Sequence, residues 1–346
     1  MTTLDKNLLR HGVLIGAETG GYGTGGGLPL SAATDGVLAY ETPTTTLDYA
    51  DLGVREGISG SGSNKLRPVA PSARKGSFDI VHYFKGAGAA YSSSVVSTAD
   101  ILLRGLGMSA VVDTTPGSEK WTYAPISTGL ESLVAEVYTR GQKHVFAGGY
   151  VSKLEIAASG LVVPKWTASV AGIMSALPTD VAVPSITYPS GSVQNPKATN
   201  VALTLANGGQ TYTAKVREWT FAMERTLDER IDQNLANMTH AGFFNGARAI
   251  TFELTLEAST LTTSDPWVAT AGTINPYGLF ENEKDIAVAL TVGGTQYNKF
   301  SLSMPTARLT AAPTENAEGN IATWGLSFDV MPSADGLEDE FTVVTA

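Results

Sequence analysis

The sequence predicts a mainly β protein made of two tandem β-sandwich or β-barrel-like modules, each carrying a short helix. Three observations lead there. An order of elements is stated twice: an alternating strand, a short helical or loop segment, a hairpin with a tight polar turn and a long return strand recur at an offset of roughly 155–170 residues. Apolar residues alternate with polar ones along those segments, the period of a half-buried strand. Gly is abundant at 37 copies, and charged residues make up only 16% of 346, which suits a turn-rich chain with large polar but uncharged surfaces.

Taken in chain order, Val13-Leu14-Ile15 opens a short strand, followed by a Gly-rich bend from Gly20 to Gly27. Gly36 to Tyr40 leads into the Thr-rich run Thr42 to Thr46. A long polar loop, 57–76, carries Lys65, Arg67, Arg74 and Lys75; loops of that length without structure of their own usually serve function. Phe78 to Phe84 is the first repeated strand, matched by Ile250 to Leu256. A helix is expected from Thr98, with Ile101, Leu102, Leu103 and Leu106 apolar and Gly105 and Gly107 at its end. One hairpin runs Leu133 to Phe146 across Arg140-Gly141-Gln142, and its counterpart runs Ile286 to Phe300 across Gly293 to Gln296. The return strands are Trp166 to Val170 and Trp324 to Val330.

These elements divide the chain into a first module, 1–177, a Pro-rich linker, 178–199, and a second module, 200–346. The second opens with a hairpin, Val201 to Tyr212, whose Asn207-Gly208 supplies the positive φ angles of a tight turn. Trp219, Phe221 and Met223 continue the alternation. Thr226 with Glu229 reads as a capping box for a helix carrying Leu227, Ile231 and Leu235. Near the end Asp335, Glu338, Asp339 and Glu340 precede the apolar Phe341 to Val344.

Composition and motifs argue against chemistry. No cysteine exists, which removes disulfides, thiolate metal sites and thiol nucleophiles, and four histidines lack a zinc-like spacing. Gly21-Tyr22-Gly23-Thr24-Gly25-Gly26 satisfies GxGxxG, but Gly27-Leu28-Pro29-Leu30 cannot begin the helix a pyrophosphate needs. The carboxylate pairs Asp228/Glu229 and Glu338/Asp339 read as solvated surface. His82 and His144 are expected to face solvent or an interface, and Trp121, Trp166, Trp219 and Trp324 to pack in cores. No catalytic, cofactor or metal residue is assigned. Neither a signal peptide nor an apolar run of ~18 residues is present, so a soluble product without a membrane anchor, made in the cytosol, is expected. A net charge of −10 disfavours gripping nucleic acid; on charge alone ordinary solubility is the favoured reading, and a wall past which nucleic acid slides fits as well.

The segment Val13 to Thr24, with Glu18-Thr19 and Tyr22-Gly23-Thr24, resembles the start of phage tail tube proteins from long-tailed, siphovirus-type bacteriophages. So do Gly76-Ser77-Phe78 with Tyr83 to Gly88, Ala99 to Gly107, the Asn207 to Gln210 hairpin and Gly319 to Phe328. The resemblance implies modules whose strands join between subunits into rings with a continuous inner barrel, stacked into a non-contractile tube. Its partners would be further copies of itself, a tape-measure protein, and tail terminator and tail-tip proteins. DNA would pass the lumen without specific binding, in a virion tail assembled in the host cytoplasm. Two modules per chain imply trimeric, pseudo-hexameric rings, with six chains per ring as the second possibility.

Two rivals from other classes stand beside this reading. One is a β-sandwich receptor-binding or decoration protein of a virion; the other is a hydrolase with an unrecognised carboxylate site. Finally, the basic loop around Lys65, Arg67, Arg74 and Lys75 is expected to meet the acidic Asp335, Glu338, Asp339 and Glu340 of the next ring, setting register rather than affinity.

Overall fold

The computed structural model describes residues 11–49, 74–160, 162–188, 195–196, 201–207, 210–231, 240–258, 267–268 and 273–346. In the first half, strands β1 (Gly12–Ala17), β2 (Gly36–Val37), β3 (Thr44–Tyr49) and β4 (Arg74–Tyr83) precede helix α1 (Asp100–Gly105). Then come β5 (Met108–Asp113), β6 (Lys120–Pro125), β7 (Leu133–Thr139), β8 (Gln142–Ser159) and β9 (Lys165–Asp180). The second half holds β10 (Val201–Asn207), β11 (Gln210–Thr213), β12 (Val216–Ile231), β13 (His240–Glu257), β14 (Trp267–Val268) and β15 (Thr273–Ile274). After α2 (Pro276–Glu281) follow β16 (Ile286–Thr295), β17 (Asn298–Leu309), β18 (Thr314–Glu318), β19 (Ile321–Met331) and β20 (Thr342–Thr345).

The antiparallel pairings recur in the same order in both halves. The first half runs β1–β7–β8–β9–β4–β3. The second runs β10–β16–β17–β19–β13–β12. Where the first half has one unbroken β8, the second has β17 and then β18; the unbroken β9 likewise corresponds to β19 and then β20. Among the described residues, strand pairing joins the halves at two places. The far end of β8 pairs with β12, from Lys153↔Glu224 to Ser159↔Glu218. Strand β20 pairs with both β17 and β6.

Alternation explains the burial. In β9, Trp166, Ala168 and Val170 are buried, while Thr167 and Ser169 are half-exposed, because successive side chains leave a strand on opposite faces. The buried faces of both halves merge into one hydrophobic cluster. At its centre Trp166 is fully buried, its ring 5.7 Å from Phe84 of the first half and 5.3 Å from Phe300 of the second. Tyr22 adds a polar clasp: its hydroxyl donates to the Gly148 carbonyl at 3.0 Å and accepts the Phe243 amide at 2.6 Å. Helix α1 buries Leu102 and Leu103, and a Cβ on Gly105 would stand 2.3 Å from Leu133, so only glycine lets the helix lie this close.

Four expectations are corrected. Thr226 and Glu229 do not cap a helix: β12 runs to Ile231, with Trp219, Phe221, Met223 and Arg225 buried at a period of two. Backbone pairing with β13 outweighs the local capping signature, which survives only as a bulge between Arg225 and Leu227. Strand β9 continues to Asp180, taking in the first three residues of the expected linker. The hairpin expected to turn across Gly293 to Gln296 turns at Gln296-Tyr297, where Tyr297 takes φ +62°.

Fourth, His82 and His144 are buried within the chain, at 0% and 4% exposure. The Nδ1 of His82 meets the Leu38 carbonyl at 2.9 Å, and Nε2 lies 2.8 Å from the Thr98 hydroxyl. A carbonyl only accepts, so Nδ1 carries the proton, and Nε2 shares the Thr98 hydroxyl with the Lys85 carbonyl, which that hydroxyl meets at 3.1 Å. Burial pushes the imidazole down to about 4, against the Leu38 hydrogen bond, which pulls the other way. A folded-state value below the unfolded one means the unfolded chain binds the extra proton. The stabilisation is therefore complete above pH 6.5 and lost as pH falls from 6.5 to about 4. Urea unfolding should lose roughly 3 kcal/mol across that window from this residue, and His82→Gln should flatten that part of the pH profile.

Candidate functional site

The sheet that crosses between the halves contains eight successive strands, β3–β4–β9–β8–β12–β13–β19–β18, four from each half. Its inner face is dry: Phe78, Ile156, Trp166, Phe221, Phe252 and Trp324 are all buried there. Since side chains alternate, the residues between them form the other face, and the register aligns those residues in rows.

One row reads Val81, Thr167, Glu155, Ala222, Thr251 and Asp329. The next reads Tyr83, Lys165, Ala157, Thr220, Glu253 and Ser327. On one side lies Thr44, Asp79, Ser169, Lys153, Glu224 and Ala249. On the other lies Ser159, Glu218, Thr255, Gly325 and Thr314. These rows carry small hydroxyl residues and alanine, six carboxylates and two lysines. Each lysine is already neutralised: Lys153 sits 2.7 Å from Glu224 and 3.7 Å from Glu155, and Lys165 sits 3.1 Å from Glu41. The face is smooth, wettable and negative, and among the described residues these rows offer phosphate no unpaired cation.

Both borders of this sheet are open among the described residues. Among the described residues β3 pairs with β4 alone and β18 with β19 alone. Thr44 and Thr46 are exposed, as are Thr314 to Ala317. A strand border of this kind carries unpaired amides and carbonyls and is a template for another chain.

Among the described residues the two charged segments singled out in the sequence are not brought together within the chain. Lys65 and Arg67 lie outside the described residues. Arg74 and Lys75 begin β4, and Lys75 is held by Asp48 at 3.1 Å and by Glu229. Glu340 is buried against Arg248, 2.8 Å from its Nε. Asp339 accepts the Ser333 amide at 2.9 Å and the Ser333 hydroxyl, which hold its carboxyl below the usual range. Asp335 and Glu338 are the members of the acidic set left exposed.

The GxGxxG bend is wound around an anion of its own. The Gly23 and Gly25 amides donate to the Glu18 carboxylate at 3.0 and 2.8 Å, and the Ser132 hydroxyl donates to it at 2.7 Å. A Cβ on Gly26 would lie 1.6 Å from the Thr19 carbonyl, so the glycine serves closure of the loop. Asp228 and Glu229 sit exposed on β12, with Glu229 engaged by Lys75. Among the described residues no group of three His, Asp or Glu side chains could hold a metal ion, and no helix is long and apolar enough to cross a membrane.

The negative face was missed by sequence reading, although its signal was present. Glu218, Thr220, Ala222 and Glu224 alternate on β12, and Thr251, Glu253, Thr255 and Glu257 alternate on β13. Acidic and hydroxyl residues at every second position mark the solvent side of paired strands.

Comparison with known families places these features in context. No curated protein matches the chain. A family model described as phage tail tube protein matches residues 9–332, nearly the whole length.

Proposed function

From the premise that this chain belongs to the phage tail tube protein family, a structural family of the virion tail, we propose that its copies close into stacked rings whose hollow interior conducts phage DNA. One observation carries the reading: the eight-stranded sheet has one dry face, one negative hydroxyl-rich face, and an open strand at each border. The negative face lines the channel, where it repels phosphate and lets the genome slide. The open borders close against neighbouring copies, which removes the exposed edges.

Geometry favours three chains per ring. At ~4.8 Å between strands, eight strands close to a barrel only ~12 Å across at the backbone, a width that side chains fill. Three chains give roughly 37 Å before strand tilt, room for a duplex between side chains, whereas six give roughly 73 Å, several times what a duplex needs. Each chain then supplies two tail-tube modules, divided at the Pro-rich stretch after β9. Such rings form a non-contractile, siphovirus-type tube with the tape-measure protein inside before ejection and terminator and tail-tip proteins at its ends. Assembly takes place in the host cytoplasm.

Between rings, the reading keeps Lys65, Arg67 and Arg74 facing Asp335 and Glu338 of the next ring, since Lys75, Asp339 and Glu340 are engaged within the chain. Charge reversal of Arg67 and Arg74 should slow tube growth several-fold while rings still form, as scored by electron microscopy. Normal tubes from that variant would remove the contact. The function itself is tested by negative-stain microscopy of the purified protein: hollow filaments are expected. A discrete monomer at every concentration would overturn it and favour a receptor-binding or decoration role.

A further inference from the structure

Resting on the ring reading, and going beyond it to the atoms of the seam, we infer that Thr44, Thr45 and Thr46 of one copy pair antiparallel with Asn316, Glu315 and Thr314 of the next. The internal joint between β8 and β12 provides the template. In the first half Trp166 pairs with Ile156 of β8; in the second Trp324 pairs with Glu315 of β18. Glu315 therefore stands where Ile156 stands.

The opposite border aligns the same way. His82 pairs with Trp166 and Leu256 with Trp324, so β4 and β13 correspond, and Phe78 stands where Phe252 stands. Phe78 pairs with Thr45, and Phe252 pairs with Phe221. Thr45 is thus the counterpart of Phe221. Within the chain Ile156 pairs directly with Phe221. Carrying that pair across the ring sets Glu315 opposite Thr45, with Thr314 opposite Thr46 and Asn316 opposite Thr44.

Three features of the two borders agree with this register. Pro43 and Pro313, both buried, bracket the two segments, and proline cannot extend a ladder beyond them. Thr44, Thr46, Thr314 and Asn316 fall on the negative face, continuing its hydroxyl and amide character without a break, whereas a slip by one residue would turn each side chain to the wrong side. The seam is also polar where the internal joint is apolar. Glu315 accepts the Tyr277 hydroxyl at 2.7 Å, in the place where the internal joint has Ile156. A border that must stay in water until assembly has to be wettable.

The chain contains no cysteine, so introduced thiols report cleanly. Directly opposed residues of antiparallel strands have Cα atoms ~4.5–5.5 Å apart, within disulfide reach. Chains carrying only Thr46→Cys, mixed with chains carrying only Thr314→Cys, assembled and oxidised, should give covalent heterodimers. The double variant should give a ladder ending at the covalent ring. Thr44→Cys with Asn316→Cys should behave alike, and Thr45→Cys with Thr314→Cys should link at least tenfold less. Rings that form without these links, or that link better through the Thr45 pair, overturn the pairing while leaving the tube intact. Absence of rings from the unaltered chain overturns the ring reading together with it.

Discussion

Replacing Trp166 with alanine is expected to cost about 3–5 kcal/mol of folding free energy and to lower the stability of both halves at once. The residue is fully buried, and its ring touches Phe84 from the first half and Phe300 from the second. Its removal leaves a cavity where the two halves share one core, and neither side can collapse into it without dragging the other. Urea unfolding followed by tryptophan fluorescence and by far-UV circular dichroism should show one coincident transition at a lower midpoint. Two separated transitions would show that the halves are energetically independent. Trp166→Phe supplies the control. The indole nitrogen is buried without a hydrogen-bond partner among the described residues, so phenylalanine removes an unsatisfied donor along with some volume. It should cost less than half as much as alanine.

The second large effect concerns the negative face. Glu218, Glu224 and Glu253 project from neighbouring strands of the sheet, and Glu218 and Glu224 are exposed. In the proposed ring, changing all three to lysine would exchange a repelling wall for an attracting one, repeated in every copy around the channel. Tubes of the unaltered protein should retain no short duplex DNA at 50 mM salt. Tubes of the triple variant should retain it with micromolar or tighter affinity, and lose it by 500 mM salt as counterions compete. Retention measured by sedimentation, with intact tubes confirmed by microscopy, checks this. Equal behaviour of the two tubes would move the channel to another surface.

Much of this architecture is legible in the residues, and the illegible parts share a cause. Strand β1 and helix α1 follow from apolar runs closed by glycine, and the pairing of β10 with β11 follows from the alternation of Val201, Leu203 and Leu205, although Asn207, expected to take a positive φ, is itself paired with Gln210 and Gly208 lies outside the described residues. These signals are local. Strand β12 was misread because Thr226 and Glu229 form a good helix start in isolation, whereas β13 and β8 pair along its two edges from elsewhere in the chain. His82 is instructive in a different way. Its phase with Phe78 and Ile80 already places it on the core side of β4. What makes an imidazole acceptable there is the Leu38 carbonyl and the Thr98 hydroxyl, neither of which strand periodicity can reveal. The same holds for the negative face: alternating acids are visible strand by strand, but their alignment into rows depends on register between distant segments.

The internal joint of β8 with β12 also bears on how fast such a structure can be built. In a ring of three, every second seam is closed by folding alone, a first-order event independent of concentration, so only three bimolecular contacts remain where separate modules would need six. Nucleation thereby becomes a lower-order reaction. Because the seam within the chain is never presented to the solvent, it is free to evolve toward apolar pairs such as Phe221 with Ile156, while the proposed seam between molecules would have to stay hydrophilic.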